Sequence, residues 1–162
     1  SWDALQSAIV EAAGHLIEFR TREGETLKGD VCQRVALINS FVDEVEKYEQ
    51  ERITSVRERI ISKVKELCSS CDENRLEQEI IFYIEKLDIN EEKVRLRQHC
   101  RYFLETMEKE QYPGKKLGFI AQEMGREINT MGSKANHVEI QKWVVRMKDE
   151  LEKIKEQSLN IL

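Results

Sequence analysis

The chain has 162 residues, a net charge of −5, 35% charged and 40% hydrophobic residues, and a single proline, Pro113. That balance suits long solvated helices and counts against a compact β-rich domain, which needs more turn residues. No apolar run approaches the roughly 20 residues that cross a bilayer, the N-terminus shows no signal-peptide pattern, and the acidic excess disfavours a dedicated nucleic-acid binder unless basic groups gather locally or a metal ion intervenes.

The chain opens directly on amphipathic helix, "SWDALQSAIVEAAGHLIEF", which reads as the later part of a longer protein. Trp2, Leu5, Ile9, Ala12, Leu16 and Phe19 recur every three or four residues, which predicts a helix over 2–21 with one apolar face. "REGETLKG" interrupts it, with Gly24 as its C-terminal cap. Val31, Val35, Ile38, Val42 and Val45 then follow at near-heptad spacing. The stripe is lost across "KYEQER" and resumes with Ile53, Val56, Ile60, Val64 and Leu67. A hairpin near residue 49 is one reading, but without a glycine or proline there a single long helix is favoured. Neither half can bury its stripe alone, so partner helices from this or another chain are implied.

"CSSCDEN" is a break. Cys68 and Cys71 have CxxC spacing, but a structural zinc site wants four ligands and no second pair exists, so Cys32, Cys68, Cys71 and Cys100 read as reduced thiols. "RLEQEIIFYIEKL" and "DINEEKVRLRQHCRYFLETMEKE" are two further helices, the second stopped by "QYPGKK". A fourth segment carries Leu117, Ile120, Met124, Ile128 and Met131 on one face. After "GSKAN", Ile140, Val144, Met147, Leu151 and Ile154 form a coiled-coil-like seam. The fold class is all-α, an elongated bundle with long coiled-coil-like helices. It is one helical region over 1–162, in which 1–73 holds the N-terminal and long helices and 74–162 the remaining core.

Two polar constellations could carry chemistry. On the fourth segment Glu123, Glu127, Thr130 and Lys134 share one flank, and Gln122, Arg126, Asn129 and Ser133 the far side. Carboxylates at i and i+4 can jointly approach a divalent cation. The plainer alternative leaves Glu127 and Arg126 solvated, with Asn136 and Glu139 as a capping box. In "DINEEKVRLRQH", Asp88, Glu92, Arg95 and His99 fall in one angular band beside Ile89, Leu96, Cys100 and Phe103. An acid, a base and a cation so aligned suit general acid–base work or metal ligation. Here the alternative is an Asp88 N-cap boxed with Glu91 and an Arg95–Glu92 pair. His15 and His137 read as surface residues. No P-loop, GxGxxG, GxSxG or HExxH is present, so nucleotide, dinucleotide and serine-hydrolase chemistry has no support.

"GKKLGFIAQEMGREINTMGSKAN" followed by "ELEKIKEQSLNIL" resembles the C-terminal end of the bacterial YicC-like family of endoribonucleases. "FRTREGETL", "NRLEQEI" and "KLDINEEKVRLRQH" resemble upstream blocks of that family, in the right order, so the resemblance covers essentially the whole chain. Gly118 stands where an acidic residue is common and Gly125 where asparagine is common. A carboxylate lost at 118 weakens a metal or RNA contact if it belongs to one. The family's N-terminal domain, which contains strands, is absent.

The resemblance implies a cytoplasmic, homo-oligomeric, hexamer-forming ribonuclease that cuts RNA with a divalent metal, Mn²⁺ or Mg²⁺. Its blocks fall on Arg20, Glu23, Arg75, Glu79, Asp88, Glu91, Glu92, Arg95, His99, Gln122, Glu123, Arg126, Glu127, Asn129, Ser133 and Lys134. From these His99, Glu92 and Glu127 are the catalytic candidates. Asp88, Glu91, Glu123, Glu127 and His99 are the metal candidates. Arg20, Arg95, Lys115, Lys116, Gln122, Arg126, Asn129, Ser133 and Lys134 are the RNA candidates. Phosphodiester cleavage needs charge stabilisation at phosphate, which carboxylate-bound metal and nearby Arg or Lys supply. Residues 114–136 carry four cations against two carboxylates, a local excess within an acidic chain. The rival reading is an oligomerisation and RNA-positioning scaffold serving the absent N-terminal domain; a generic coiled-coil adaptor explains the seams but not the polar block at 125–136.

Overall fold

A computed structural model describes residues 1–68, 70 and 72–161. These form five helices, α1 (Trp2–Leu67), α2 (Glu73–Lys86), α3 (Asn90–Lys109), α4 (Gly114–Lys134) and α5 (Val138–Ser158), and no strand among the described residues. The CxxC pair includes Cys71, which lies outside them. None of the helices is long and apolar enough to cross a membrane.

The middle of α1 joins α3, α4 and α5 in a four-helix bundle. Each helix packs closely on two neighbours, α1 on α3 and α5, and α4 on the same two, while the backbones of the diagonal pairs stay further apart. Short connections force antiparallel neighbours. α1 and α5, though not consecutive, are antiparallel too: Arg34 reaches Glu150, and Tyr48, further along α1, reaches His137 at the start of α5. The stripes predicted from periodicity make the core: Val31 to Val45 of α1, Leu96, Cys100 and Phe103 of α3, and the seams of α4 and α5 are buried. Each fully buried Val, Leu, Ile or Phe contributes about 1.5–3 kcal/mol. α2 packs on the far end of α1, where Arg57 donates to both Glu77 carboxylate oxygens at 2.6 and 2.7 Å.

Three local expectations are corrected. α1 does not end at Gly24; it runs unbroken through "REGETLKG". Gly24 adopts no left-handed conformation, and one interior glycine costs only about 1 kcal/mol against alanine, less than the packing that begins at Leu27 and Val31 returns. Residues 2–23 of α1, including Trp2, Leu5, Ile9, Leu16 and Phe19, are all exposed, because α5 ends before reaching them. Finally, the α5 cap is His137, whose Nδ1 accepts from the Ile140 amide at 3.4 Å, rather than Asn136. His137 is 12% exposed and stacks near Tyr48, so it is not a surface residue. His15 is one, as expected.

α4 and α5 approach closely through glycine. A Cβ at Gly132 would lie 3.1 Å from Val144 Cγ1, and one at Gly125 would lie 3.2 Å from Leu151 Cδ2. The small residues of "GREINTMGSKAN" therefore mark a helix contact as well as a polar face.

Burial pushes the Cys100 thiol up to about 12. The thiol is then protonated at pH 8, and only thiolates alkylate. Iodoacetamide should modify Cys100 in the native protein only as fast as the bundle opens, and at once in denaturant. Mass spectrometry of its peptide checks this.

Candidate functional site

The antiparallel α3–α4 hairpin brings the two polar constellations together. The α3 N-terminus lies beside the α4 C-terminus, so acidic side chains of one meet cations of the other. Lys134 Nζ donates to Glu92 Oε1 at 2.6 Å and to the Asp88 carbonyl at 3.2 Å. One to two turns away, Arg95 Nη1 lies 3.8 Å from Glu127 Oε1, while its Nη2 pairs with Glu91. The pairing of Arg95 expected with Glu92 is therefore made with Glu91, and Glu92 is taken by Lys134 instead. The Asp88 carboxylate accepts from the Asn90 amide at 3.4 Å, but the N-cap of α3 is Ile89, which makes no side-chain cap bond, so the expected Asp88 cap with Glu91 is not formed.

Glu92 and Glu127, at 4% and 8% exposure, are the only buried carboxylates among the described residues. A buried charge is costly unless paired, and each of these faces a cation on the opposite helix. Glu92 Oε2 nevertheless has no hydrogen-bond partner among the described residues. Glu127 is thus not solvated, contrary to the plainer alternative for that residue.

The clamp that holds this arrangement is Arg52 of α1, 3% exposed. Its guanidinium donates to both Glu49 carboxylate oxygens at 2.9 and 3.3 Å, to the Leu87 carbonyl at 3.0 Å and to the Lys134 carbonyl at 3.5 Å. It ties together the turn before α3 and the end of α4. Sequence reading missed Arg52, although a signal was present. Glu49 and Arg52 continue the spacing from Val45 to Val56, so the apparent gap in the α1 stripe is a buried ion pair at stripe positions. Gln141 adds a second tie, its Nε2 donating to the Gly132 and Ala135 carbonyls at 2.7 Å each.

His99 is half-buried on α3 and makes no hydrogen bond or ion pair among the described residues. The register that sets Arg95 opposite Glu127 puts it level with the Glu123 turn. Glu123 pairs with Arg126 at 3.0 Å. Gln122, Arg126, Asn129 and Ser133 form an exposed face, with the Ser133 hydroxyl donating to the Asn129 carbonyl at 3.0 Å.

Other candidates stand apart. Lys115 is exposed, and Lys116 pairs with Glu110 and lies 5.2 Å from the Tyr102 ring; both are at the opposite end of α4, about 28 Å from Lys134 by helical rise. Arg20 sits on the uncovered part of α1, about 48 Å along the helix from Arg52. Glu23 shares that segment, and Arg75 and Glu79 are exposed on α2.

Among the described residues no three His, Cys, Asp or Glu side chains cluster to hold a metal, so Asp88, Glu91, Glu123, Glu127 and His99 are not gathered into one cage within this chain. That excludes a zinc-like all-protein cage from these groups, but Mg²⁺ and its like typically take one or two carboxylates plus water and substrate phosphate. The buried, unpartnered Glu92 Oε2 fits that mode of binding.

Residues 45–162 match the family described as endoribonuclease YicC-like, C-terminal. The chain is 40% identical over 163 residues to the "Probable endoribonuclease YicC" of Clostridioides difficile (strain 630), across 99% of this chain and 56% of that protein. To the protein of the same name from Haemophilus influenzae (strain ATCC 51907 / DSM 11121 / KW20 / Rd) it is 31% identical, across 98% of this chain and 57% of the relative. It spans little more than half the length of these curated relatives. The chain belongs to the YicC-like endoribonuclease family, and what it shares with that family is the C-terminal region.

Proposed function

We propose that the α3–α4 face is the cleavage site of a metal-dependent endoribonuclease acting on RNA in the cytoplasm as a homo-oligomer. One observation carries the reading: the only two buried carboxylates among the described residues, Glu92 and Glu127, each face a cation from the opposing helix. The exposed amide, hydroxyl and guanidinium groups of α4 lie along the same hairpin.

In this reading Arg126, Asn129, Ser133 and Gln122 position the RNA backbone, which side-chain donors of these types do without reading sequence. Lys134 and Arg95 stabilise charge developing on the phosphate in a partly desolvated setting. Glu127 orients Arg95. His99, which has no partner among the described residues to hold its proton in place, is the general acid–base. Glu92, with Glu127, would hold Mn²⁺ or Mg²⁺, which supplies Lewis-acid activation of the phosphate. Lys115 and Lys116 would meet phosphates further along the strand. Arg20 would reach RNA only from a neighbouring copy.

Cleavage of an internally labelled RNA with Mn²⁺, with Mg²⁺ and with chelator tests this. Chelator should abolish cutting, and His99→Ala and Glu127→Gln should each slow it about 10²-fold or more, in variants whose circular dichroism matches the wild type. Cutting that persists in chelator removes the metal. Undiminished cutting by both variants removes the site and leaves these helices as a scaffold.

A further inference from the structure

Directly after Lys134 the surface sinks into a depression of about 520 Å³ at the head of α5. Its walls include His137, Val138, Lys142, Val145 and Arg146, and no carboxylate lines it. Glu51 stands just outside it, its carboxylate 3.7 Å from His137 Nε2. Val138 and Val145 lie two turns apart on one face of α5 and are 72% and 55% exposed, which gives an apolar floor. Lys142 stands between them. Arg146 spreads over the Trp143 ring at 4.7 Å from its centroid, and among the described residues it has no carboxylate partner. Trp143 in turn packs on Phe41 of α1 at 5.3 Å, so the guanidinium rests on a fixed aromatic base.

An apolar floor with a cationic rim suits a ligand that is flat and apolar in one part and anionic in another. The volume is in the range of small-ligand sites. A nucleotide has that chemistry, and stacking on a plane with cation–π support is how single strands are held without reading sequence. The geometry points to a nucleotide-binding subsite: one unstacked base lies on Val138 and Val145 against Arg146, with its phosphate on Lys142. Lys142, now 2.9 Å from Glu139, would exchange that carboxylate for the phosphate. The Gln141 tie to Gly132 and Ala135 fixes the subsite to the end of α4. A strand crossing the α4 face would therefore continue into it. The inference rests on the proposed RNA cleavage for its ligand and adds a second contact outside the cleavage residues.

The test uses a fluorescein-labelled single-stranded RNA of 12 nucleotides, with affinity read in chelator and KM read during cutting with Mn²⁺. Arg146→Ala and Val138→Asp should each weaken binding about tenfold, as loss of one stacked base does. KM should rise by the same factor while kcat moves less than twofold. Arg146→Ala should also lower the slope of log affinity against log salt by about one. A 4-thiouridine strand should cross-link to the peptide holding residues 136–146. Wild-type affinity and KM in both variants overturn the subsite while normal cutting leaves the cleavage reading in place. Wild-type affinity with altered sedimentation also overturns it, and assigns the depression to a protein contact. A wild-type protein that neither binds nor cuts RNA overturns both.

Discussion

Arg52→Ala should destabilise the protein by about 3–5 kcal/mol, the range found when one partner of a buried ion pair is removed. The substitution strands Glu49, 13% exposed, and leaves the Leu87 and Lys134 carbonyls without the donor that now reaches both. For a chain of this size the melting temperature should fall by about 10 °C or more. Arg52→Lys should recover little, since an ammonium cannot fork between a carboxylate and two carbonyls. Circular dichroism against temperature and urea reads both variants. A loss below about 1 kcal/mol for alanine would mean that the clamp is ornamental and that helix packing alone sets the join between α3 and α4.

The second large effect is expected at Lys134. Lys134→Ala leaves the Glu92 carboxylate buried with neither oxygen partnered among the described residues, since Oε2 already has no partner there. The cost should be about 2–3 kcal/mol, below the range for a fully buried pair because 33% of the lysine side chain is exposed. Glu92→Leu combined with Lys134→Met removes both charges at similar volume and should restore most of that stability. The double variant also separates fold from chemistry. If Glu92 and Lys134 serve cleavage, a stable double variant should still fail to cut RNA; a stable variant that cuts normally would reduce the pair to a structural bridge.

Much of the bundle was legible because burial and helical period are directly linked. The stripes at Val31–Val45, Leu117–Met131 and Ile140–Ile154 each become core. The same rule failed where burial was polar. Arg52 and Glu49 sit on the α1 stripe, but a charge at a stripe position looks like a break in the pattern until its partner is known. Trp2–Phe19 shows the converse: the helix forms as its period predicts, but an apolar face says only that cover is wanted, not which element, of this chain or another, supplies it. Gly24 misled for a local reason: glycine lowers helix stability modestly and ends a helix only when the flanking turns lack support. At the site, sequence spacing put Glu92, Arg95 and His99 on one helix and Glu127 and Lys134 on another. The crosswise pairing came from the antiparallel hairpin, which no spacing within either helix encodes.

α1 is one rod in its geometry but two objects in its thermodynamics. From Val31 to Val56 it buries nearly one residue per turn against the bundle, and burial of that kind ties a helix's opening to that of the core. Over residues 2–23 the same hydrogen-bonded spiral is held by local contacts, among them the Ser1 cap, the Glu11–His15 and Glu18–Arg22 pairs and the Thr21 hydroxyl on the Ile17 carbonyl. Most of a helix's stability in a protein comes from packing its apolar face, which this segment lacks. Whatever binds along this segment therefore first pays the entropy of holding it straight, and its affinity is set by how much of the spiral already stands when it arrives.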